Sequence, residues 1–270
     1  MAVVLIPIPS VDFDPTETAI PWCVLRQRGH RVEFATPDGQ PGRADDRMLT
    51  GRGLGMLRSV LMADPRARDA YAAMAGDAAF RAPRHYANLR VDSFDGLVLP
   101  GGHAPGMKPY LESPLLQALV AATFRARKPL GAICHGVVLA ARSRRADGHS
   151  VLFGRQTTAL TRQLELTAWA LTAAWLGRYY RTYRTPVQNE VTRALASAAD
   201  FHVGPLALRR DAPGCLGFGF AVRDGNYVSA RWPGDAHRFS HDMADLLDAV
   251  GCGAAIGESA GSLSRSARPI

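Results

Sequence analysis

The sequence predicts an α/β protein in which helices cover both faces of a doubly wound, mostly parallel β-sheet. Three observations predict it. Short apolar runs that suit buried strands alternate along the chain with longer segments of helical periodicity. The first unit is strand, helix, strand, which implies a parallel pair joined by a right-handed crossover. The chain has 270 residues, 47% of them hydrophobic, so it can bury one sizeable core.

The first strand–helix–strand unit has clear local signals. An apolar run at residues 3–8 suits a buried strand, and residues 31–36 alternate as a second one. Between them Asp14 is a good N-cap, Pro15 suits the first helical position, and Glu17 completes a capping box. The segment that begins at Asp14 is therefore predicted to be a helix.

An inserted region follows at residues 40–92 and is predicted to be a helical cap. Its Ala- and Arg-rich stretches near 54–63 and 66–75 have helical periodicity. The third strand is predicted at residues 94–99, and the glycine-rich loop 100–106 comes directly after it. This loop should therefore lie at the carboxyl end of that strand.

The second half of the chain continues the alternation. Ser113 caps a helix that runs to about residue 127, and the apolar residues 130–133 form the fourth strand. The remaining predicted elements are a strand at 157–160, helices at 162–176 and 187–198, a hairpin of strands 218–222 and 227–230, and a final helix at 235–250. Residues 251–270 are rich in Gly, Ser and Ala without periodicity and are predicted to be a disordered tail.

Cys134 stands where the fourth strand meets the next helix. The apolar strand leads directly into the cysteine, and Gly136 opens an apolar, Ala-rich segment. This pattern indicates a nucleophile elbow, a sharp turn that lifts the side chain out of the sheet. The helix N-terminus beneath the sulfur favours thiolate over thiol. A buried cysteine at a strand end is the alternative interpretation, because free cysteine is one of the most buried residue types.

Three features should meet at the carboxyl ends of the strands, where open α/β sheets bind their ligands. They are Glu17 in the first helix, the loop 100–106, and Cys134. Each has a simpler interpretation by itself, since Glu17 satisfies a capping box and Pro-Gly-Gly forms turns. Their joint placement in one crevice indicates a functional site.

The composition argues against several other classes of function. The net charge is +8, but only Lys108 and Lys128 are lysines, and the arginines are spread among acidic residues without a basic stripe. We therefore expect no nucleic acid partner. The amino terminus lacks the basic flank of a signal peptide, and no stretch approaches the roughly 20 apolar residues of a membrane span. A cytoplasmic location without a membrane partner is expected.

Disulfide and metal chemistry are not indicated. The cysteines Cys23, Cys134, Cys215 and Cys252 are widely spaced and contain no CxxC pair. The histidines are scattered without the close spacing of metal ligands. We therefore expect no metal and no cofactor, and we interpret Cys23 and Cys215 as packing residues.

Two motifs make the chain recognisable: Leu-Pro-Gly-Gly-His at residues 99–103 and Ala-Ile-Cys-His-Gly at residues 132–136. Together with the acidic residue early in the first helix, they resemble the PfpI superfamily, which has the flavodoxin-like fold of class I glutamine amidotransferases. The histidine after the glycines, the adjacent Cys-His pair and the inserted region are similar to the branch of heat-shock chaperone-like, glutathione-independent glyoxalases. The resemblance covers roughly residues 1–250, as one domain.

The resemblance implies a role for each site residue. Cys134 is the nucleophile and His135 the triad histidine, while Glu17 places its carboxyl group against the thiol. Relatives orient the histidine with an acid at the start of the helix after the next strand, and Glu165 stands at that position. As an alternative, Glu165 is a first-turn acid that stabilises a helix dipole.

The resemblance also implies the groups that bind the substrate. The amides of Gly102 and His135 form the oxyanion hole, and Gly101 and His103 complete the substrate-binding set. As an alternative, His103 only lines the pocket or holds the loop.

The activity implied by the resemblance is that of a cofactor-free glyoxalase. Such an enzyme converts a 2-oxoaldehyde such as methylglyoxal, together with water, into a 2-hydroxy acid, and the same site is compatible with deglycase-like activity. The thiolate adds to the aldehyde, backbone N–H groups stabilise the oxyanion, and a base moves a proton between adjacent carbons. His135 and Glu17 are both candidates for that base. Homodimers are common among relatives, so a homodimer is expected.

Two alternative functions remain. A thiol-based stress sensor or chaperone holdase needs only a reactive Cys134. A cysteine amidase or peptidase of the same fold is disfavoured, because peptidase-like relatives carry an acid where this loop has Gly106. True glutamine amidotransferases have His-x-Glu near the C-terminus, whereas Asp235-Ala-His237 reverses that order.

Overall fold

The computed structural model describes the backbone of residues 1–262 and the side chains of residues 1–250. The strands are β1 (Val3–Pro7), β2 (Val11–Phe13), β3 (Arg31–Thr36), β4 (Arg43–Ala44), β5 (Arg84–His85), β6 (Gly96–Leu99), β7 (Leu130–Ile133), β8 (Ala221–Asp224) and β9 (Tyr227–Ala230). The α-helices are α1 (Pro15–Gln27), α2 (Asp46–Thr50), α3 (Arg58–Leu61), α4 (Pro65–Ala75), α5 (Ala78–Arg81), α6 (Lys108–Leu111), α7 (Pro114–Arg125), α8 (Gly136–Arg142), α9 (Arg162–Leu176), α10 (Val187–Ala194) and α11 (Ala236–Ser262). Single turns of 3₁₀-helix lie at Gly55–Leu57, Tyr86–Asn88, Val91–Ser93, Pro105–Met107, Ala198–Asp200, Leu216–Phe218 and Pro233–Asp235.

Across the described residues, the main sheet has seven strands in the order β5-β3-β1-β6-β7-β9-β8. Neighbouring strands run parallel except in the β8–β9 hairpin, which is antiparallel. Every residue of β6, β7 and β9 is buried, as expected where helices cover both faces of a parallel sheet. The predicted α/β class, with a doubly wound and mostly parallel sheet, is confirmed.

The direction of winding reverses between β1 and β6. Strand β1 leads through α1 to β3 on one side, whereas β6 leads through α7 to β7 on the other. Such a switch point leaves a crevice outside the carboxyl ends of the strands. The loops after β1 and β6 interlock there, because the Asp14 N–H donates to Gly101 O at 2.9 Å and the Gly106 N–H donates to Asp12 Oδ2 at 2.9 Å.

The cap predicted at residues 40–92 contains β4, β5 and the helices α2 to α5. Asp64 caps α4 by accepting a hydrogen bond from the Ala67 N–H at 3.0 Å, and α4 packs against α1. The rings of Phe34 on β3 and Phe80 on α5 meet edge to face, with centroids 5.1 Å apart. This part of the cap therefore shares the apolar core of the sheet, whereas Met48, Leu54 and Met62 form a second cluster with Tyr180.

The prediction of a strand at residues 157–160 is wrong. Thr157 forms only an isolated bridge with Phe201. Both edges of β9 are already paired, with β7 and β8. The segment instead packs on the side chains of β9, where Thr157 Oγ1 lies 3.0 Å from Tyr227 Oη and 3.2 Å from Ser229 Oγ.

Some helix boundaries also differ from the prediction. The helix predicted at 187–198 ends at Ala194. Helix α11 continues to Ser262, so the first part of the predicted tail extends a helix. The rest of that tail, residues 263–270, lies outside the described residues. The division into one domain and a tail stays a prediction.

Candidate active site

Cys134 occupies the sharp turn between β7 and α8. Its backbone φ is +57°, in the left-handed region that costs a non-glycine residue about 1–2 kcal/mol. Its N–H donates to Ala230 O at 3.0 Å. An added Cβ at Gly136 would lie 2.1 Å from Leu99 O, so only glycine lets α8 begin this close to β6. This is the geometry of a nucleophile elbow.

Glu17 is not engaged in capping its own helix. Asp14 caps α1, because its Oδ1 accepts hydrogen bonds from the N–H groups of Thr16 at 2.8 Å and Glu17 at 3.0 Å. The Asp14 N–H that a capping box would offer to Glu17 donates to Gly101 O instead. The Glu17 carboxyl group accepts the Gly101 N–H at 2.9 Å through Oε2, while its Oε1 is buried without a hydrogen-bond partner among the described residues, close enough to Cys134 for each group to shift the pKa of the other. The position of Glu17 is therefore explained by its contacts in the crevice and not by N-capping of α1.

The atoms of the site pack closely around Gly101. An added Cβ there would lie 2.6 Å from Glu17 Oε2, 2.7 Å from the His135 nitrogen and 2.9 Å from Cys134 Cβ. No side chain fits among these atoms, since real Cβ atoms do not approach other heavy atoms so closely. The absence of a side chain at Gly101 is what allows the carboxyl, the thiol and the amide to meet.

Burial controls the protonation of Glu17. Its side chain is fully buried, and this desolvation, together with the charge of Asp14, raises the pKa of Glu17 well above its ordinary value of 4.5. The raised pKa favours the protonated form of this carboxyl group. It is a proton donor placed beside the sulfur of Cys134.

Opposing effects act on the thiol of Cys134. Burial raises its pKa well above the ordinary 9.0, and negative charge on Glu17 or Asp14 raises it further, whereas the His135 N–H lowers it. Burial is the largest effect, so the structure corrects the expectation of a resting thiolate stabilised by the N-terminus of α8. The thiol needs a neighbouring base that takes its proton as it reacts.

His135 is placed to be that base. Its Nδ1 lies 3.5 Å from Cys134 Sγ, and its Nε2 lies 3.1 Å from Thr182 Oγ1. Burial, with smaller effects of His103 and Arg142, lowers the pKa of His135 to about 3. The imidazole is therefore neutral at neutral pH, with one nitrogen free to accept a proton.

Thr182 determines which nitrogen of His135 carries the hydrogen. The Thr182 hydroxyl donates to His103 O at 2.6 Å. Because a hydroxyl has one hydrogen, Thr182 can only accept from His135, and this assigns the ring hydrogen to Nε2. The lone pair of Nδ1 then faces Cys134. Sequence reasoning missed Thr182, because the segment between α9 and α10 has no motif or periodicity.

Glu165 lies in the first turn of α9, as the sequence predicts, but its partners differ from those expected. Its carboxylate accepts the Val187 N–H at 2.8 Å and pairs with Arg181 Nε at 3.2 Å. The ring of His135, which Glu165 was expected to orient, has its Nε2 next to the hydroxyl of Thr182. Glu165 therefore holds the start of α10 while it lines the wall of the cavity described below.

His103 forms one wall of the site. Its ring stacks on Tyr180 with centroids 4.2 Å apart and meets Tyr179 edge to face at 4.8 Å. Its Nε2 is buried without a hydrogen-bond partner among the described residues, 4.0 Å from Asp45 Oδ2. Burial, with the charge of Arg47, lowers the pKa of His103 to about 3, so this side chain is neutral.

The predicted oxyanion hole consists of two backbone amides near Gly101. Within the part of the chain that the structure describes, neither the Gly102 N–H nor the His135 N–H donates to a protein oxygen. Gly102 has φ +151°, a conformation that favours glycine. Neither amide is therefore committed to a protein oxygen, and Gly102 lines the cavity, whereas the His135 N–H also acts on the Cys134 thiol.

A cavity of about 370 Å³ opens at Cys134 and is also lined by Glu17, Gly102, His103 and Glu165. Its outer wall comes from the cap near residues 59–63, from one face of α9, and from the loop at 207–210. The sequence predicted the cap and a site role for Glu165 on α9, but not the contribution of the rest of that helix or of the loop. The cavity brings together all the predicted catalytic residues except His135, which lies directly behind Cys134.

The described residues contain no group of three or more His, Cys, Asp or Glu side chains that could hold a metal ion. They also contain no helix long and apolar enough to cross a membrane. Cys23 is half-buried on α1 and Cys215 is exposed, both away from the site, whereas Cys252 lies outside the residues with described side chains.

A family model described as ThiJ/PfpI family-like matches residues 8–194. This segment is well over half of the chain and contains Glu17, the glycine loop, Cys134 and His135. The chain belongs to the ThiJ/PfpI family. Membership of the PfpI superfamily, which the motifs predicted, is thereby confirmed.

The relatives carry several different names. An uncharacterized protein of Schizosaccharomyces pombe is 29% identical over 116 residues, 42% of each chain. The deglycase TK1284 of Thermococcus kodakarensis is 27% identical over 158 residues, 58% of this chain and 64% of the relative. The chain thus spans less than two thirds of the length of these curated relatives. Glyoxalase III of Candida albicans has the same fold, with a TM-score of 0.64 at 16% identity over 90% of this chain and 96% of that one.

Proposed function

We propose that this chain is a cysteine-dependent glyoxalase, which converts a 2-oxoaldehyde and water into a 2-hydroxy acid without a cofactor. The observation that carries the proposal is the meeting of Glu17, Cys134 and the His135 amide around Gly101. This arrangement puts a nucleophile, a proton donor and an oxyanion site within reach of one carbonyl group. The names of the deglycase relative and of the glyoxalase III neighbour agree with such chemistry.

The first step is addition of the thiol to the aldehyde. Cys134 Sγ bonds to the aldehyde carbon while its proton passes to Nδ1 of His135. The aldehyde oxygen, held by backbone N–H groups, takes the proton of Glu17. The product is a hemithioacetal on Cys134, beside a Glu17 carboxylate and a His135 imidazolium.

The second step moves a proton between adjacent carbons. The Glu17 carboxylate takes the proton from the sulfur-bearing carbon, and His135 protonates the neighbouring ketone oxygen, which gives an enediol. Glu17 then returns its proton to the neighbouring carbon, while the hydroxyl on the sulfur-bearing carbon gives its proton to His135. The result is a 2-hydroxyacyl thioester of Cys134, reached without an external oxidant or reductant.

Hydrolysis completes the cycle. The Glu17 carboxylate takes a proton from water as the water oxygen bonds to the thioester carbon. The carbon–sulfur bond breaks, the sulfur takes the proton held by His135, and the 2-hydroxy acid leaves. All three residues return to their starting protonation, so the chain needs no cofactor.

The other two candidate functions have less support. Redox-sensing thiols are exposed and have a low pKa, whereas Cys134 is only 5% exposed and burial raises its pKa. The acid of peptidase-like relatives has no room at Gly106, where an added Cβ would lie 2.6 Å from Val11 Cγ2 and 2.7 Å from Asp12 Oδ2. The homodimer and the cytoplasmic location that the sequence predicts are part of this proposal.

The test is lactate formation from methylglyoxal by the purified protein without glutathione. We expect Cys134→Ala and Glu17→Gln to lose at least about a hundredfold in kcat/KM, the usual scale for a lost nucleophile or proton donor. Cys23→Ala, which removes a half-buried thiol from the same helix as Glu17, is the matched control and should keep full activity. A wild-type protein that forms no lactate would overturn the proposal.

A further inference from the structure

Arg210 lines the cavity that opens at Cys134, and it is the only lysine or arginine among the described residues that do so. Its Nη2 donates to the carbonyl oxygens of Val60 at 3.2 Å and Met62 at 3.1 Å. The guanidinium also lies 5.4 Å from the centre of the Trp232 ring. The cap and the ring thus hold this side chain in one position, through contacts that leave its charge unneutralised.

One nitrogen of Arg210 has no partner. Nη1 is buried and makes no hydrogen bond within the described part of the chain. A buried donor without an acceptor costs free energy that a bound acceptor would recover. The charge of Arg210 reaches the catalytic end of the cavity, where it lowers the pKa of Asp14 against the larger opposing effect of burial.

The space between Arg210 and the nucleophile is apolar and larger than methylglyoxal requires. Leu61, Leu164 and Ala168 contribute to its walls, together with the exposed side chains of Val60 and Leu208. At about 30 Å³ for each water molecule, the cavity holds roughly ten of them. Cavities of roughly 300–1,000 Å³ typically hold ligands much larger than a three-carbon aldehyde.

We propose that Arg210 binds an anionic group, a carboxylate or a phosphate, at the far end of the substrate. The 2-oxoaldehyde end reacts at Cys134, and a short apolar chain crosses the cavity between the two ends. The planar guanidinium suits this role, because it donates two parallel hydrogen bonds to a carboxylate or a phosphate. This inference rests on the proposed function and names the class of substrate.

The acidic residues of the cavity do not prevent an anion from binding. The raised pKa of Glu17 favours its neutral, protonated form. The charge of Asp14 is opposed by the N–H groups of Thr16 and Glu17 at the start of α1, and that of Glu165 by Arg181 and the Val187 N–H. Arg210 therefore keeps a buried donor, Nη1, that no acceptor among the described residues occupies.

The test compares two 2-oxoaldehydes of similar size, 4,5-dioxopentanoate with a terminal carboxylate and the neutral 2-oxohexanal. In the wild type we expect kcat/KM to favour the carboxylate by about tenfold or more, as for a charge-assisted hydrogen bond. Arg210→Met should abolish the preference for the carboxylate, and the rate that it retains with the neutral substrate shows that the variant folds. Arg210→Lys keeps the positive charge but lacks the planar guanidinium, so it should retain part of the preference for the carboxylate.

Arg209 provides the matched control. It is exposed on the same loop, with its guanidinium 5.3 Å from the centre of the Phe218 ring and outside the cavity. Arg209→Met should therefore keep the full preference. Equal rates for the two substrates in the wild type, or a preference that survives in Arg210→Met, would overturn the inference.

Calorimetric binding of the two reaction products separates this inference from the proposed function. We expect the wild type to bind 2-hydroxyglutarate about tenfold more tightly than 2-hydroxyhexanoate, and Arg210→Met to bind them equally. If neither aldehyde is turned over but this difference is found, the glyoxalase proposal fails and the anion site stands. If the products bind equally to the wild type, the anion site fails whatever the turnover.

Discussion

The Nε2 atom of His135 lies 3.1 Å from the hydroxyl oxygen of Thr182, which donates its own hydrogen to His103 O. A neutral hydroxyl therefore stands where the sequence predicted the carboxylate of Glu165. A carboxylate there would raise the pKa of His135 by favouring the imidazolium. With Thr182 instead, burial holds the pKa of His135 low, so the ring is neutral with the lone pair of Nδ1 facing Cys134, and it is a weaker base than an imidazole paired with a carboxylate.

The first prediction concerns this hydroxyl. Thr182→Val has the same shape but offers no acceptor to His135, so the ring loses the contact that selects its tautomer. We expect kcat to fall about 10- to 100-fold, as when other orienting partners are lost, with KM within about twofold. Thr182→Ser should restore most of the rate. Steady-state kinetics with methylglyoxal measures this, and a Thr182→Val protein as fast as the wild type would refute the role of Thr182.

Gly101→Ala tests the close packing of the site. The new methyl group would overlap Glu17 Oε2 and the His135 nitrogen, so the carboxyl and the thiol must move apart. We expect activity to fall at least about a hundredfold and the free energy of unfolding to fall by about 1–3 kcal/mol. Gly214→Ala is the control, since an added Cβ at Gly214 meets nothing within 4 Å. Equal losses in the two variants, by urea denaturation and lactate assay, would count against the packing argument.

The buried carboxyl group of Glu17 should make stability depend on pH. Because its folded pKa is raised, the folded chain holds a proton that the unfolded chain releases above about pH 4.5. The free energy of unfolding therefore falls as the pH rises from about 4.5 to the raised pKa. Glu17→Gln removes this loss, so its Tm should exceed that of the wild type by about 2–4 °C or more at pH 8 and by less at pH 5.

The control for this measurement is Asp46→Asn, which changes an exposed acid at the start of α2. Its Tm difference from the wild type should be the same at both pH values. If the Glu17→Gln difference is also the same at pH 5 and pH 8 in differential scanning calorimetry, the carboxyl group of Glu17 is not held protonated by the fold.

The part of the site that could be predicted from the sequence is the part built from contiguous sequence motifs. The turn at Cys134 and the loop at Gly101 are contiguous motifs that follow buried strands, and parallel strands place both at one edge of the sheet. Glu17 joins them because it follows β1 in the same way. These placements follow from local periodicity and one topological rule.

The parts that were missed depend on contacts between distant, irregular segments. Thr182 and Arg210 stand in stretches without periodicity, so nothing in their neighbourhood marks them as site residues. Glu165 was placed by its position at the start of a helix, but only the folded chain shows that the Val187 N–H and Arg181 engage its carboxylate. The strand predicted at 157–160 failed for a similar reason, because β8 pairs with the free edge of β9.

The central claim is that Glu17 moves the proton that converts a Cys134 adduct into a thioester. The most direct measurement mixes excess protein with methylglyoxal, quenches with hydroxylamine, and quantifies the lactohydroxamate that only a lactoyl thioester yields. We predict lactohydroxamate from the wild type and none from Glu17→Gln or Cys134→Ala, although Glu17→Gln keeps its thiol. Wild-type yields from Glu17→Gln, or no lactohydroxamate from the wild type, would contradict the account.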